Sequence, residues 1–106
     1  MRSAEVYLRD AHAGRIEELD RGYRFVYRAD YLEAPGAEAV ALTLPLRAEP
    51  YDTPQSLHPF FDGLIPEGWL LQLALGTHGV ALRDRFGLLV ATGRDAIGAV
   101  RILPPS

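Results

Sequence analysis

Cysteine and lysine are both missing from this 106-residue chain, and each absence closes off chemistry. Without cysteine there are no disulfides, no thiolate nucleophile and no cysteine-ligated zinc or iron–sulfur centre. All 11 basic residues are arginine. No amine can anchor ATP phosphates, form a Schiff base or complete a P-loop. Long apolar runs are also absent, far short of the roughly 20 residues that span a bilayer. No basic segment followed by an apolar one opens the chain, so no secretory signal is read, and the expected compartment is the cytoplasm. An excess of positive charge is missing too. Eleven basic residues face 14 acidic ones, a net −3, which is poor footing for holding nucleic acid directly.

What is present is the composition of an ordinary globular domain, 48% apolar and 24% charged. A chain of this size buries about two-thirds of its unfolded surface, enough for one core. A single domain over 1–106 is therefore expected.

The first third carries a period of two. Residues 4–9 read as a strand with Val6 and Leu8 on one face. A turn is expected over Asp10–Gly14, with a second strand starting at Arg15. After a second turn at Asp20-Arg21-Gly22, residues 23–28 set Tyr23, Phe25 and Tyr27 against Arg24, Val26 and Arg28. That alternation marks a half-buried strand in an antiparallel meander. Beyond the break at residues 34–37, the spacing of Val40, Leu42, Leu44 and Leu46 predicts another strand over 38–46, ended by Pro45. Residues 47–56 read as a proline-rich loop.

The second half changes period. Helices are predicted over 57–64, with Pro59 in the first turn, over 66–75, with Pro66 first and Glu67 near the N-terminal dipole, and over 82–91, stopping at Gly93. Residues 97–103 read as a last strand. The expected fold is α+β, an antiparallel sheet made of the N-terminal meander and the C-terminal strand, with two or three short helices packed against it.

Catalytic constellations are thin. His12 and His78 fall in turn-like contexts. His58 and Asp62 stand four apart, a spacing that suits a metal, but two ligands do not make a site. None of the three serines lies in a nucleophile elbow, and Gly93–Gly98 lacks the spacing of a dinucleotide-binding loop. No enzyme activity, cofactor or metal is expected. Arg9, Arg15, Arg21, Arg24 and Arg28 could line one basic face, or be a solvated surface balanced by Glu17, Glu18 and Asp20.

The informative stretch runs from Phe60 to Leu71. In the 66–75 helix, apolar side chains at 69, 70, 71, 73, 74 and 75 cover most of the circumference. Such a helix is either central to a core or shared with a partner. Trp69, the one tryptophan, fits a core plug and an interface anchor equally in kind.

Four segments in order resemble the N-terminal subdomain of HipA-type toxin kinases. The opening meander ends in Tyr23-Arg24-Phe25-Val26-Tyr27. Leu42-Thr43-Leu44-Pro45-Leu46 follows, then Phe60-Phe61-Asp62-Gly63-Leu64-Ile65-Pro66-Glu67-Gly68, then Gly93-Arg94-Asp95-Ala96-Ile97-Gly98-Ala99-Val100. The kinase core that follows in that family is not in this sequence, which lacks its catalytic loop and its lysine. The resemblance extends to the small HipS-type antitoxins of three-gene HipBST systems. It implies a non-catalytic protein that binds a HipT-type serine/threonine kinase, in company with a HipB-type DNA-binding protein. It moves Trp69 toward the interface, near the kinase active site, with Phe61, Asp62, Glu67, Gly68 and Leu70 beside it. The alternative it leaves is a docking piece, or a fragment of a HipA kinase, that bridges kinase and DNA-binding protein. The starting methionine and the closing Pro104-Pro105 suit a naturally short protein.

Overall fold

The computed structural model describes residues 2–65, 84–93 and 99–105. Five strands form one antiparallel sheet: β1 (Ser3–Leu8), β2 (Ala11–Leu19), β3 (Gly22–Tyr27), β4 (Tyr51–Thr53) and β5 (Val100–Leu103). Their order is β4-β3-β2-β1-β5, so the meander runs to one edge and the C-terminal strand adds beside β1. Three short helices stand among the described residues: α1 (Ala29–Glu33), α2 (Pro59–Asp62) and α3 (Arg85–Thr92). This is the α+β class expected from the pattern.

Period two decides which face is inside. Ala4, Val6 and Leu8 of β1, Ile16 of β2, Phe25 and Tyr27 of β3, and Val100 and Ile102 of β5 are all buried. The cover over them comes from Tyr31 of α1, Val40, Leu44 and Leu57 of the connecting chain, Phe61 of α2, and Phe86, Leu88 and Leu89 of α3. Gly93 ends α3 against β5, where a Cβ would lie 2.6 Å from that of Ile102. Only a glycine lets the helix end seat so close.

Several expected boundaries are corrected. The first hairpin turns at Arg9-Asp10, with Arg9 left-handed at φ 54°, and β2 begins at Ala11. A bulge then places Ala13 between the pairs Val6–Gly14 and Tyr7–His12. The glycine that suggested a turn, Gly14, instead meets the backbone and ring of β3 at close range. Within the proline-rich 47–56 stretch, Tyr51–Thr53 forms the short edge strand β4, and α1 occupies residues with no marked helical pattern.

The expected strand over 38–46 is absent. Its backbone groups find partners in tyrosine hydroxyls. Tyr31 donates to the Glu38 carbonyl at 2.7 Å and accepts from the Glu38 amide at 3.3 Å. Tyr27 accepts from the Val40 amide at 3.0 Å and donates to the Leu44 carbonyl. Tyr51 donates to the Pro45 carbonyl. Buried peptide groups need a partner, and phenols supply here what a ladder would supply in a strand. Burial holds the Tyr27 phenol above its ordinary range, so it stays protonated as the donor to Leu44.

Candidate partner-binding site

The residues singled out by sequence fall into two groups. Trp69, Glu67, Gly68 and Leu70 lie outside the described residues, as does the predicted helix over 66–75. Phe61 and Asp62 are in α2. The helix starts as its sequence demands: His58 caps it, its Nδ1 accepting from the Phe60 amide at 3.1 Å, and Pro59 takes the first position, where its missing N–H costs nothing. Burial keeps His58 below its ordinary pKa, which favours the neutral ring that this acceptor role needs.

Phe61 is 1% exposed and packs its ring 5.3 Å from that of Phe25 and 5.2 Å from that of Phe60. In the isolated domain it is a packing residue, not open surface. Asp62 is half-exposed, and its Oδ1 accepts from Arg85 Nε at 2.8 Å. The His58–Asp62 spacing therefore serves a cap and an ion pair. Among the described residues no cluster of three or more His, Asp or Glu side chains could hold a metal ion.

The start of α3 is fixed as firmly as the end of α2. Asp84 caps the helix, its Oδ1 accepting from the Gly87 amide at 3.1 Å. Arg2 reaches it with two hydrogen bonds, at 2.9 and 2.8 Å, and grips Glu18 of β2 with two more, at 2.9 and 2.7 Å. The Arg2 guanidinium also lies 5.1 Å from the centre of the Phe86 ring. Hydrogen bonds from Arg2 hold the Glu18 and Asp84 carboxyls below the usual carboxylate range and push the guanidinium higher still. The last residue of α2 and the first of α3 are thus joined directly, and α3 is joined to the sheet.

Sequence reasoning missed a second polar cluster, on the opposite face of the sheet. Glu5 is 2% exposed, yet each of its carboxylate oxygens has a polar partner. Arg15 Nε donates to one carboxylate oxygen at 3.0 Å, and His12 Nε2 lies 2.6 Å from the other. Arg28 Nη1 stands 3.2 Å from His12 Nδ1. A guanidinium can only donate, so Nδ1 accepts and the ring proton sits on Nε2, pointing at Glu5. Tyr7 stacks on His12 at 4.6 Å. The bulge at Ala13 is what turns His12 toward this face, and no residue pattern announces a bulge. Four of the five arginines of the candidate basic face have a local acidic partner: Arg9 pairs with Glu38, Arg15 with Glu5, Arg24 with Asp52 and Arg28 with Asp30. These partners differ from Glu17, Glu18 and Asp20, because cross-strand register and neighbouring loops set them.

The fold and these contacts define a small α+β domain with helices on one face of an open antiparallel sheet and no catalytic group assembled among the described residues. Residues 4–103 match the model of the HipA N-terminal domain, and the chain belongs to that family. It is similar, at 32% identity over 102 residues, to a Haemophilus influenzae protein named "Uncharacterized protein"; the match covers 96% of this chain and 92% of the relative. It is 34% identical over 80 residues to "Putative kinase Y4mE" of Sinorhizobium fredii, spanning 76% of this chain and 19% of that much longer one. Among solved structures, the "N-terminal domain of HipA toxin" superposes with a TM-score of 0.76 at 27% identity, covering all of this chain and 94% of that one.

Proposed function

We propose that this protein is a non-catalytic antitoxin that binds and restrains a HipT-type serine/threonine kinase by protein–protein contact, with Trp69 entering near the kinase active site. The observation that carries this reading is the pairing of relatives. One of nearly the same length carries this domain by itself, and one named as a kinase carries it as a fifth of its length. A domain that serves both ways is suited to sit against a kinase body, joined to it or not. The chain's own composition agrees, since it has no lysine to hold phosphate.

The restraint is steric. A rigid indole buried at the centre of an interface contributes about 2–4 kcal/mol of binding, enough to occupy a cleft or hold it from closing. The experiment is to titrate a HipT-type kinase with the wild-type domain and with Trp69→Ala, following autophosphorylation. The variant is expected to fold and to lose inhibition. Full inhibition by the folded variant removes Trp69 from the site, and an unfolded variant makes it a core residue.

The second reading, a docking subunit that bridges the kinase to a HipB-type DNA-binding protein, shares the same contact. It differs in requiring the DNA-binding protein for any effect on the kinase.

A further inference from the structure

Four residues expected to share one buried face part company in the structure. Val40 and Leu44 are buried, but Leu42 is 100% exposed and Leu46 is 38% exposed. The reason is a turn: the Leu44 amide donates to the Ala41 carbonyl at 3.0 Å, which puts Leu42 and Thr43 at its two corners. Turn corners favour proline, glycine, asparagine, aspartate and serine. A leucine there gains nothing for the fold, and its whole surface meets water.

The turn is also held in one shape. The Tyr27 hydroxyl bonds Val40 on one side and Leu44 on the other, and the Tyr51 hydroxyl holds Pro45. Arg47 stacks 3.6 Å over the Tyr51 ring and donates to the Glu49 and Pro50 carbonyls. The exposed positions 42, 43, 45 and 46 carry no charge, in a chain that is 24% charged. A rigid mount that displays an aliphatic side chain lowers the ordering cost of binding. The lack of charge fits an apolar pocket on a protein and not a phosphate backbone.

We infer that the Ala41–Leu46 turn is a docking knob, with Leu42 its anchor, that enters an apolar pocket on the HipA-family kinase chain this domain accompanies. The inference rests on the kinase-binding reading above. The kinase is the occupant because one relative carries this domain inside a kinase-named chain about four times the length of this one, while another carries it by itself. Surface that meets water in the free-standing form has a kinase body to pack against in the joined one.

The test measures the affinity of the full chain for a purified HipA-type kinase chain that lacks its own domain of this kind. Leu42→Asp is expected to weaken binding about ten-fold or more, and Leu46→Ser by less, with the melting midpoint unchanged. Should Leu42→Asp disturb folding, Leu42→Ser decides the matter. Wild-type affinity in the folded Leu42 variants overturns the inference and leaves the kinase reading standing. So does a change confined to self-association, or to binding of the DNA-binding partner. A wild-type chain that does not bind the kinase overturns both.

Discussion

Two apolar stretches of this chain, Phe60–Ile65 and Val40–Leu46, are fixed by polar bonds and yet dispose of their side chains differently. In the first, the His58 cap and the Asp62–Arg85 pair hold a short helix, and Phe61 within it and Ile65 in the turn after it are buried in the core. In the second, the Tyr27 and Tyr51 hydroxyls hold a turn that sends Val40 and Leu44 inward and Leu42 out. Apolar composition is the same in kind. What separates the two is where the backbone finds its hydrogen bonds: within a helix the spacing carries every apolar residue around one axis, whereas a turn pinned from its flanks alternates by accident of geometry. The first stretch supports the fold, and the second gives up burial at its tip.

Substitutions can sharpen this contrast. Phe61→Ala should destabilise most, by about 3–5 kcal/mol, because a large ring leaves a cavity among Phe25 and Phe60. Chemical denaturation measures it; a loss under 1 kcal/mol would make the α2 stretch as dispensable for folding as the turn tip. Tyr27→Phe should cost less, about 1–3 kcal/mol, by leaving the Val40 amide and the Leu44 carbonyl without their partner. Amide exchange at Val40 should speed up more than exchange in β1 and β2. If Val40 stays as protected as before, the hydroxyl is not what holds the turn.

The smallest effect is expected at Arg2. Its pairs with Glu18 and Asp84 are partly solvated, so Arg2→Ala should cost no more than about 1 kcal/mol at neutral pH. The sign with pH follows from the lowered carboxyl pKa values: the stabilisation is present above the unfolded carboxylate range, near pH 4, and is lost as pH falls through the lower folded values. The difference between wild type and Arg2→Ala should therefore shrink toward zero below about pH 4. A difference that persists in acid would assign Arg2 to packing on Phe86 instead.

Most of the sheet was legible in advance. Alternation in residues 4–8 and 23–27 reports burial directly, because one face of each strand meets the core. Pro59 and Gly93 announce helix ends by local chemistry that needs no distant partner, whereas the cap at Asp84 lies inside the expected 82–91 helix. What misled was residue 38–46, where a perfect period of two occurs without a strand. The deciding partners there are tyrosines 6 to 17 residues away in sequence, and no local pattern encodes such a bond. The Glu5–His12–Arg28 cluster was hidden for the same reason, since it depends on a bulge and on cross-strand register. Of the expected site, Phe61 and Asp62 now have defined roles, as a core ring and as the partner of Arg85.

The central claim is that this domain inhibits a kinase by contact and needs no helper. A HipT-type kinase, purified without any DNA-binding protein, should lose autophosphorylation in proportion to added wild-type domain until the two are equimolar. Undiminished autophosphorylation at a several-fold excess of folded domain, restored to inhibition only when the DNA-binding protein is added, would contradict it.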